Sequence, residues 1–139
     1  MKELLLEVVT PSKVAYTANI KSVTIPGTLG SFQVLYNHAP LISSFEIGLI
    51  KIVEENGTVR YFATDGGTVE VKDNRVLVLA ESFEEAFEID VEKAKNALET
   101  ARGRLKGRSQ QFEVDEAQAE ISRAMNRISI ASKYRPTSL

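Results

Sequence analysis

Residues 27–48 read GTLGSFQVLYNHAPLISSFEIG, a stretch that is rich in both turn residues and apolar side chains. It holds three of the eight glycines, one of the four prolines and the only histidine. Nine apolar side chains, from Leu29 to Ile47, would not stand in water without a partner, so a disordered linker is excluded. Long connections of this composition are usually packed down and often functional. The alternative is two short strands and a corner that only close a β-sandwich, and the stretch alone leaves both readings open.

The composition is that of an ordinary folded domain. Of 139 residues, 43% are hydrophobic and 26% are charged. No apolar run is long enough to span a bilayer, and the acids Glu3 and Glu7 interrupt the N-terminal run, so we expect a strand there and not a signal peptide. The absence of cysteine excludes disulfides and thiolate metal sites. The net charge of -2 argues against general nucleic-acid binding.

Residues 1–86 carry alternating strand patterns separated by turn signals every eight to twelve residues. Asn56-Gly57 predicts a hairpin in which both central residues have φ > 0. Asp65-Gly66-Gly67 and Asp73-Asn74 predict two further hairpin turns, which together would make a meander. This spacing indicates an antiparallel β-sandwich domain over residues 1–86.

The pattern changes near Glu88, and residues 87–139 are predicted to form an antiparallel helical hairpin. One apolar stripe comprises Val91, Ala94, Leu98, Ala101 and Leu105; a second comprises Val114, Ala117, Ile121, Ala124, Ile128 and Ala131. Asp90 is placed to cap the first helix, and Gly107 with Ser109 to end it. Because half of both stripes is alanine, the two helices bury little. We therefore expect a switchable element hinged at residues 83–88.

Charge differs between the two parts. Residues 1–86 contain seven Lys/Arg and eleven Asp/Glu, whereas residues 87–139 contain ten and eight, giving -4 and +2. Four basic residues cluster at the predicted hairpin loop: Arg102, Arg104, Lys106 and Arg108. A solvated helix face explains them simply, and an acidic protein partner or a phosphate ligand is the more specific alternative.

A catalytic site finds little support in the residues. His38 is the only histidine, so a histidine metal cluster is impossible, and no carboxylate spacing suggests a metal. A phosphate loop is absent because residues 27–30 are followed by neither the lysine nor the helix that it requires. We therefore predict no catalytic and no metal-binding residues.

Six short motifs occur in a characteristic order: PGTLG at residues 26–30, NHAPL at 37–41, GLIKI at 48–52, DGGTVEV at 65–71, VLVLA at 76–80 and RAMNR at 123–127. Together they make the chain resemble the epsilon subunit of bacterial F-type ATP synthases over essentially its whole length. The resemblance implies a non-catalytic central-stalk (rotor) subunit of a proton-translocating ATP synthase. Such a subunit lies peripherally at the cytoplasmic face of the bacterial plasma membrane.

The resemblance also implies partners. The sandwich would join the gamma subunit to the c-ring, and the hairpin would reach the catalytic α/β subunits and restrain ATP hydrolysis. The residues implied at the c-ring or gamma interface are Gly27, Thr28, Leu29, Gly30, His38, Ala39, Pro40 and Leu41.

Some members of that family bind ATP in the folded hairpin as a regulatory ligand. The matching positions here are Asp90, Lys93, Arg123 and Arg127, with lysine in place of the family's arginine at residue 93, which keeps the charge but loses the planar fork. The competing interpretation of the chain is a free-standing β-sandwich binding module with a helical dimerisation tail.

Overall fold

The computed structural model describes residues 2–106 and 110–134. The chain divides into two compact units, Met1–Glu85 and Ala86–Leu139. The strands of the first unit are β1 (Leu4–Val9), β2 (Val14–Ile25), β3 (Phe32–Val34), β4 (Leu41–Phe45), β5 (Gly48–Glu54), β6 (Val59–Thr64), β7 (Gly67–Lys72), β8 (Arg75–Ala80) and β9 (Glu84–Glu85). The second unit has a 3₁₀ helix (Ala86–Glu88), α1 (Val91–Leu105) and α2 (Gln111–Lys133).

Within the described residues, the strands of the first unit form one nine-stranded sheet around a single core. The order is β4-β7-β8-β1-β2-β5-β6-β9, and β3 pairs with β2. The 12-residue β2 serves both halves, because it pairs with β1 along its first half and with β3 and β5 along its second. Six strands, β1, β2, β3, β5, β7 and β8, supply the core side chains with 1% exposure or less. These side chains are Leu4, Leu6, Val8, Val23, Ile25, Val34, Ile50, Ile52, Val69, Val71, Val76 and Val78.

One strand pair departs from the antiparallel expectation. β1 runs parallel to β8, with Leu6 opposite Val76 and Val8 opposite Val78. Strand direction cannot be read from alternation alone, because a parallel and an antiparallel neighbour bury the same face of a strand. Every other strand pair in the described part of this unit is antiparallel.

The predicted hairpin at Asp65-Gly66-Gly67, and with it the meander, is wrong. β6 pairs with β5 and β9, whereas β7 pairs with β4 and β8, so the chain leaves one part of the sheet and enters another here. The glycines permit this crossing. Gly66 has φ 113°, and its carbonyl accepts the Glu81 N–H at 2.9 Å. A Cβ on Gly67 would overlap the Leu79 carbonyl oxygen, so only glycine fits there.

The Asn56-Gly57 turn does connect β5 to β6, but not with the predicted geometry. Only Gly57 has positive φ, at 90°, and its N–H donates to the Glu54 carbonyl at 2.9 Å. The loop therefore has three residues, with the glycine in its last position. The turn with two positive φ values is instead Asp73-Asn74, at 51° and 59°, between the directly paired Lys72 and Arg75.

The second unit confirms both predicted helical stripes. Each stripe is buried or half-buried, and its most buried members are alanines with 5% exposure or less: Ala94, Ala101, Ala117, Ala124 and Ala131. Small side chains let the α1 and α2 backbones lie close together while burying little apolar area. The predicted helix break at Gly107 and Ser109 lies outside the described residues.

The predicted cap of α1 is confirmed, and it leads to a stability prediction. The Asp90 carboxylate accepts the Lys93 N–H at 3.0 Å while Asp90 itself is extended, at φ -80° and ψ 97°. Asp90→Ala is expected to destabilise the helical unit by about 1 kcal/mol, because it leaves a first-turn donor without this acceptor. Thermal unfolding followed by helix circular dichroism measures the loss. Asp90→Asn, which retains an acceptor, is the control and should lose far less; equal losses would contradict the capping role.

Candidate functional site

The loop at residues 26–30 is a tight turn tied to β4. The Gly27 N–H donates to the Ile25 carbonyl and the Gly30 N–H to the Gly27 carbonyl, each at 3.0 Å. Thr28 is bonded to Ser44 twice, from its N–H to the carbonyl at 3.2 Å and between the two hydroxyls at 2.8 Å. Leu29, at the tip of this turn, is fully exposed. The backbone of the loop is therefore held firmly, while its one large apolar side chain points away from the protein.

The segment before β4 is held by a different set of bonds. Asn37 has positive φ, at 64°, and exchanges two hydrogen bonds with Asn74. The Asn37 N–H donates to Asn74 Oδ1 at 2.6 Å, and Asn74 Nδ2 donates to Asn37 Oδ1 at 3.1 Å. The His38 N–H donates to the Leu35 carbonyl at 3.1 Å. His38 Nδ1 lies 2.7 Å from the Ala39 carbonyl oxygen, which can only accept, so Nδ1 carries the proton. The turn that contains His38, which we call the His38 turn, is therefore anchored to the turn between β7 and β8.

Strand β4 connects these two segments. It forms an edge of the sheet and pairs only with β7 among the described strands. The glycine loop meets the Ser44–Phe45 end, where Gly27 forms a bridge to Phe45, and the His38 segment leads into the Leu41 end. Three residues of strand separate the two ends, about 10 Å. The eight predicted interface residues thus lie along one edge of the sheet, which we call the β4 edge: residues 27–30 and 38–45.

The β4 edge contains interface candidates beyond the residues predicted from the sequence. Ile42 is 78% exposed, and its alternate neighbour Ser44 is also exposed, whereas Phe45 belongs to the core. The alternation of LISSF carries this information, since Leu41 and Phe45 face inward and residues 42 and 44 must face outward. The expectation that apolar residues of this stretch are covered is wrong within the single chain for Leu29, Leu35, Tyr36 and Ile42, whose exposure ranges from 38% to 104%.

The basic cluster at the end of α1 is partly neutralised within the helical unit. Arg104 Nη1 donates to both carboxylate oxygens of Glu120, at 2.8 and 2.7 Å. Arg102 pairs with Glu99 of the same helix at 3.2 Å. Arg108 lies outside the described residues. The pairing of Arg104 joins α1 to α2, so this arginine has a structural role.

Of the four predicted nucleotide-binding residues, Asp90 caps α1, Lys93 lies in α1, and Arg123 and Arg127 lie in α2. The Arg104–Glu120 pair joins the two antiparallel helices near their connection, so Lys93 and Arg127 lie toward the opposite end of the helical unit. Arg127 Nη1 lies 3.4 Å from the Arg123 carbonyl, and the Asp90 carboxylate is engaged in capping. Arg123 lies one helical turn before Arg127 on α2, nearer the connection between the helices.

Neither metal ligation nor membrane insertion is indicated by the part of the chain that the structure describes. No group of three or more His, Cys, Asp or Glu residues there could hold a metal ion. No helix there is long and apolar enough to cross a membrane.

Comparison with known families confirms the predicted fold class. Residues 3–86 match the beta-sandwich domain of the ATP synthase delta/epsilon chain, and residues 88–132 match its long alpha-helix domain. A chain of the Euglena gracilis mitochondrial ATP synthase structure is similar in fold, with a TM-score of 0.80 at 19% identity over 96% of this chain and 83% of that one. A chain of the Tetrahymena thermophila enzyme structure gives a TM-score of 0.64 at 18% identity, covering 91% and 95%.

Sequence relatives agree with the family match. The ATP synthase epsilon chain of Desulforamulus reducens is 38% identical over 91% of this chain and 95% of its own length. The epsilon chain of an Anaeromyxobacter species (strain K) is 39% identical over 94% of this chain and 98% of its own length. The epsilon chain of Carboxydothermus hydrogenoformans is 46% identical over 75% of this chain and 77% of its own length. The chain therefore belongs to the family of ATP synthase epsilon chains, which are non-catalytic subunits of that enzyme.

Proposed function

We propose that this epsilon chain is a rotor subunit of the central stalk that joins the c-ring to the gamma subunit through the β4 edge. The helical unit then regulates ATP hydrolysis by reaching the catalytic α/β subunits. The subunit is peripheral, at the cytoplasmic face of the bacterial plasma membrane, through its place in the complex.

The observation that carries the proposal is the exposed leucine on a firmly held turn. Leu29 is fully exposed although residues on both sides of it are hydrogen-bonded to the sheet or to each other. Burying a leucine side chain contributes about 1.5–3 kcal/mol, and a turn that is already ordered loses little entropy on binding. This supports Leu29 as an anchor in an apolar pocket of a partner, which we assign to the c-ring.

The other end of the β4 edge supports a second partner. The His38 turn is fixed by the Asn37–Asn74 pair, and Ala39 and Pro40 are exposed beside Ile42. A rigid, mixed polar and apolar surface of this kind suits a protein interface. We assign it to the gamma subunit. Both rotor partners would then be held by one strand, which couples their rotation.

The helical unit supports regulation through its weak internal packing and its charge. Its interface consists largely of alanine, and the Arg104–Glu120 pair is half exposed on the arginine side, where ion pairs stabilise little. Residues 87–139 carry a net charge of +2, which favours an acidic surface on the catalytic subunits. A hairpin that gains little from closing can exchange its own contacts for those of a partner.

Binding measurements test the rotor role. The full chain is immobilised and exposed to the α, β and gamma complex of the same source, and separately to detergent-solubilised c-ring. We expect saturable binding to the gamma-containing complex, and tighter retention when the c-ring is present. Absence of binding to both, together with a stable dimer of the isolated chain, would instead favour the free-standing module.

A regulatory ATP site stays a prediction, with Lys93, Arg123 and Arg127 as its cations and Asp90 at the start of α1. Titration of the full chain with ATP in a calorimeter should give one site per chain. Arg127→Gln should weaken that site roughly 10-fold or more, because charge-assisted contacts to phosphate are lost. Arg75→Gln, which removes an exposed cation of β8 in the first unit, is the control. Equal affinities of the Arg127→Gln variant and the unmodified chain would contradict the assignment.

A further inference from the structure

An ion-pair cluster lies on β6 and β9, at the opposite end of the strand order from β4. Arg60 of β6 binds the carboxylate of Glu85 with two donors, Nε to Oε2 at 2.8 Å and Nη2 to Oε1. Its Nη1 donates to Glu54 Oε2 at 3.2 Å, and the Tyr16 hydroxyl donates to that same oxygen at 2.7 Å. Glu85 is only 7% exposed. The hydrogen bond to Glu85 raises the pKa of Arg60, and burial followed by the bond to Glu54 raises the pKa of Tyr16, so Arg60 stays charged and Tyr16 neutral.

Aromatic rings surround the guanidinium group. It lies 5.7 Å from the ring centre of Tyr16 and 5.6 Å from that of Phe62, within the range of cation–π attraction. Phe62 in turn stacks on Phe83, with ring centres 4.0 Å apart and planes 13° from parallel. The rings add cation–π attraction to the ion pair, although the Arg60 side chain remains 34% exposed.

The strand that Arg60 holds is very short. β9 consists of Glu84 and Glu85 alone, which pair with Ala63 and Phe62. Two residues of ladder cannot secure a strand end against fraying. Upstream, the chain is fixed independently, because the Glu81 N–H donates to the Gly66 carbonyl and the Ser82 hydroxyl accepts the Asp65 N–H. Residues 83–85 are held instead by the β9–β6 ladder, by the Arg60–Glu85 pair and by ring contacts of Phe83 with Phe62 and Tyr16.

Glu85 is also the last residue of the first compact unit, and Ala86 is the first of the second. We infer that the Arg60–Glu85 clamp fixes the point at which the helical unit leaves the sandwich, and so limits the reach of that unit. Opening the clamp frees three residues, which lengthens the connection by up to about 10 Å. The regulatory consequence rests on the proposed function, but the clamp itself does not. The hinge expected at residues 83–88 is then confined to residues after Glu85.

Amide hydrogen exchange of the isolated full chain tests the clamp directly. Arg60→Gln is expected to accelerate exchange at Glu84 and Glu85 roughly 10- to 100-fold, because a buried carboxylate loses its charged partner. Amides of β1 and β8 should be unchanged. Arg60→Lys, which keeps the charge but not the fork, should lie between Arg60→Gln and the unmodified chain. Arg102→Gln, which removes an exposed ion pair in α1, is the matched control and should leave β9 unaffected.

A double variant keeps the test decisive if Arg60→Gln fails to fold. Arg60→Gln combined with Glu85→Gln leaves no unpaired buried charge, yet it should still exchange faster at β9 than the unmodified chain. Unchanged exchange at β9 in the folded variants would overturn the inference. So would equal acceleration throughout the sandwich, because Arg60 would then support the whole domain and not its end.

A distance measurement tests the consequence for reach. The chain has no cysteine, so spin labels at Lys72→Cys and Lys95→Cys report only on the two chosen sites. Arg60→Gln should broaden the distance distribution between these labels, whereas an unchanged width would overturn the link to the helical unit. Neither measurement involves the ATP synthase complex. A chain that fails to bind gamma would therefore sink the proposed function and leave the clamp result standing.

Discussion

Replacing Leu29 by aspartate should weaken binding of this chain to the rotor complex roughly 100-fold while leaving the isolated chain as stable as before. The side chain is fully exposed and packs against nothing in its own unit, so its removal opens no cavity. In the proposed complex, by contrast, Leu29 is buried against the c-ring, so the substitution would remove an apolar anchor and place a charge in a site without water. Binding to the α, β and gamma complex with c-ring, measured by interferometry, gives the affinity, and urea unfolding gives the stability.

Val59→Asp is the matched control for this substitution. Val59 is a 40% exposed apolar residue on β6, a strand that does not pair with β4. The Val59→Asp variant should bind the rotor complex with an affinity within about twofold of the unmodified chain, since isolated surface substitutions have small effects. Equal losses for the two variants would show that added negative charge, and not the Leu29 anchor, weakens binding. An unchanged affinity for Leu29→Asp would remove the glycine loop from the interface.

Gly67→Ala should destabilise the sandwich by about 3 kcal/mol or more, through a methyl group with no space. An added Cβ would overlap the Leu79 carbonyl oxygen and lie 2.9 Å from both the Leu79 carbonyl carbon and Phe45 Cζ. The backbone oxygen cannot move without breaking the β7–β8 pairing, in which Gly67 faces Ala80. Urea unfolding followed by tyrosine fluorescence measures the change, because Tyr16, Tyr36 and Tyr61 all lie in the sandwich.

Gly103→Ala adds the same methyl group but is expected to raise stability and not to lower it. Gly103 lies in α1, and an added Cβ would meet no atom within 4 Å. Alanine in a helix is favoured over glycine by roughly 0.8–1 kcal/mol, so the helical unit should become more stable. If both variants changed stability equally, the close approach at Gly67 would not be the cause of its effect.

The local structure of this protein was predictable from its sequence because local patterns determine it. The 3-4 spacing of the alanine stripes placed α1 and α2, and the position of Asp90 before Val91 predicted the cap. The pairing of strands was not predictable in the same way. Asp65-Gly66-Gly67 has the composition of a hairpin turn, yet it carries the chain between non-adjacent strands, because contacts with Phe45 and Leu79 from elsewhere in the sheet require glycine there.

In the candidate site, too, local features were predictable from the sequence and their arrangement in space was not. The Gly27–Gly30 turn and the His38 turn were recognised from their residues, but their arrangement along β4 depends on the Gly27–Phe45 bridge and the Thr28–Ser44 bonds. The outward position of Ile42 was available from the alternation of β4. The full exposure of Leu29 was not, since an apolar residue in a turn can equally be buried. The Arg60–Glu85 clamp joins residues 25 positions apart and had no local signal.

The most direct test of the regulatory role is the rate of ATP hydrolysis by the α, β and gamma complex of the same source. The rate is compared without addition, with the full chain, and with a chain ending at Glu85, the last residue of the first compact unit. We predict that the full chain inhibits hydrolysis, whereas the shortened chain binds without inhibiting. Binding of the full chain without inhibition would contradict regulation by the helical unit.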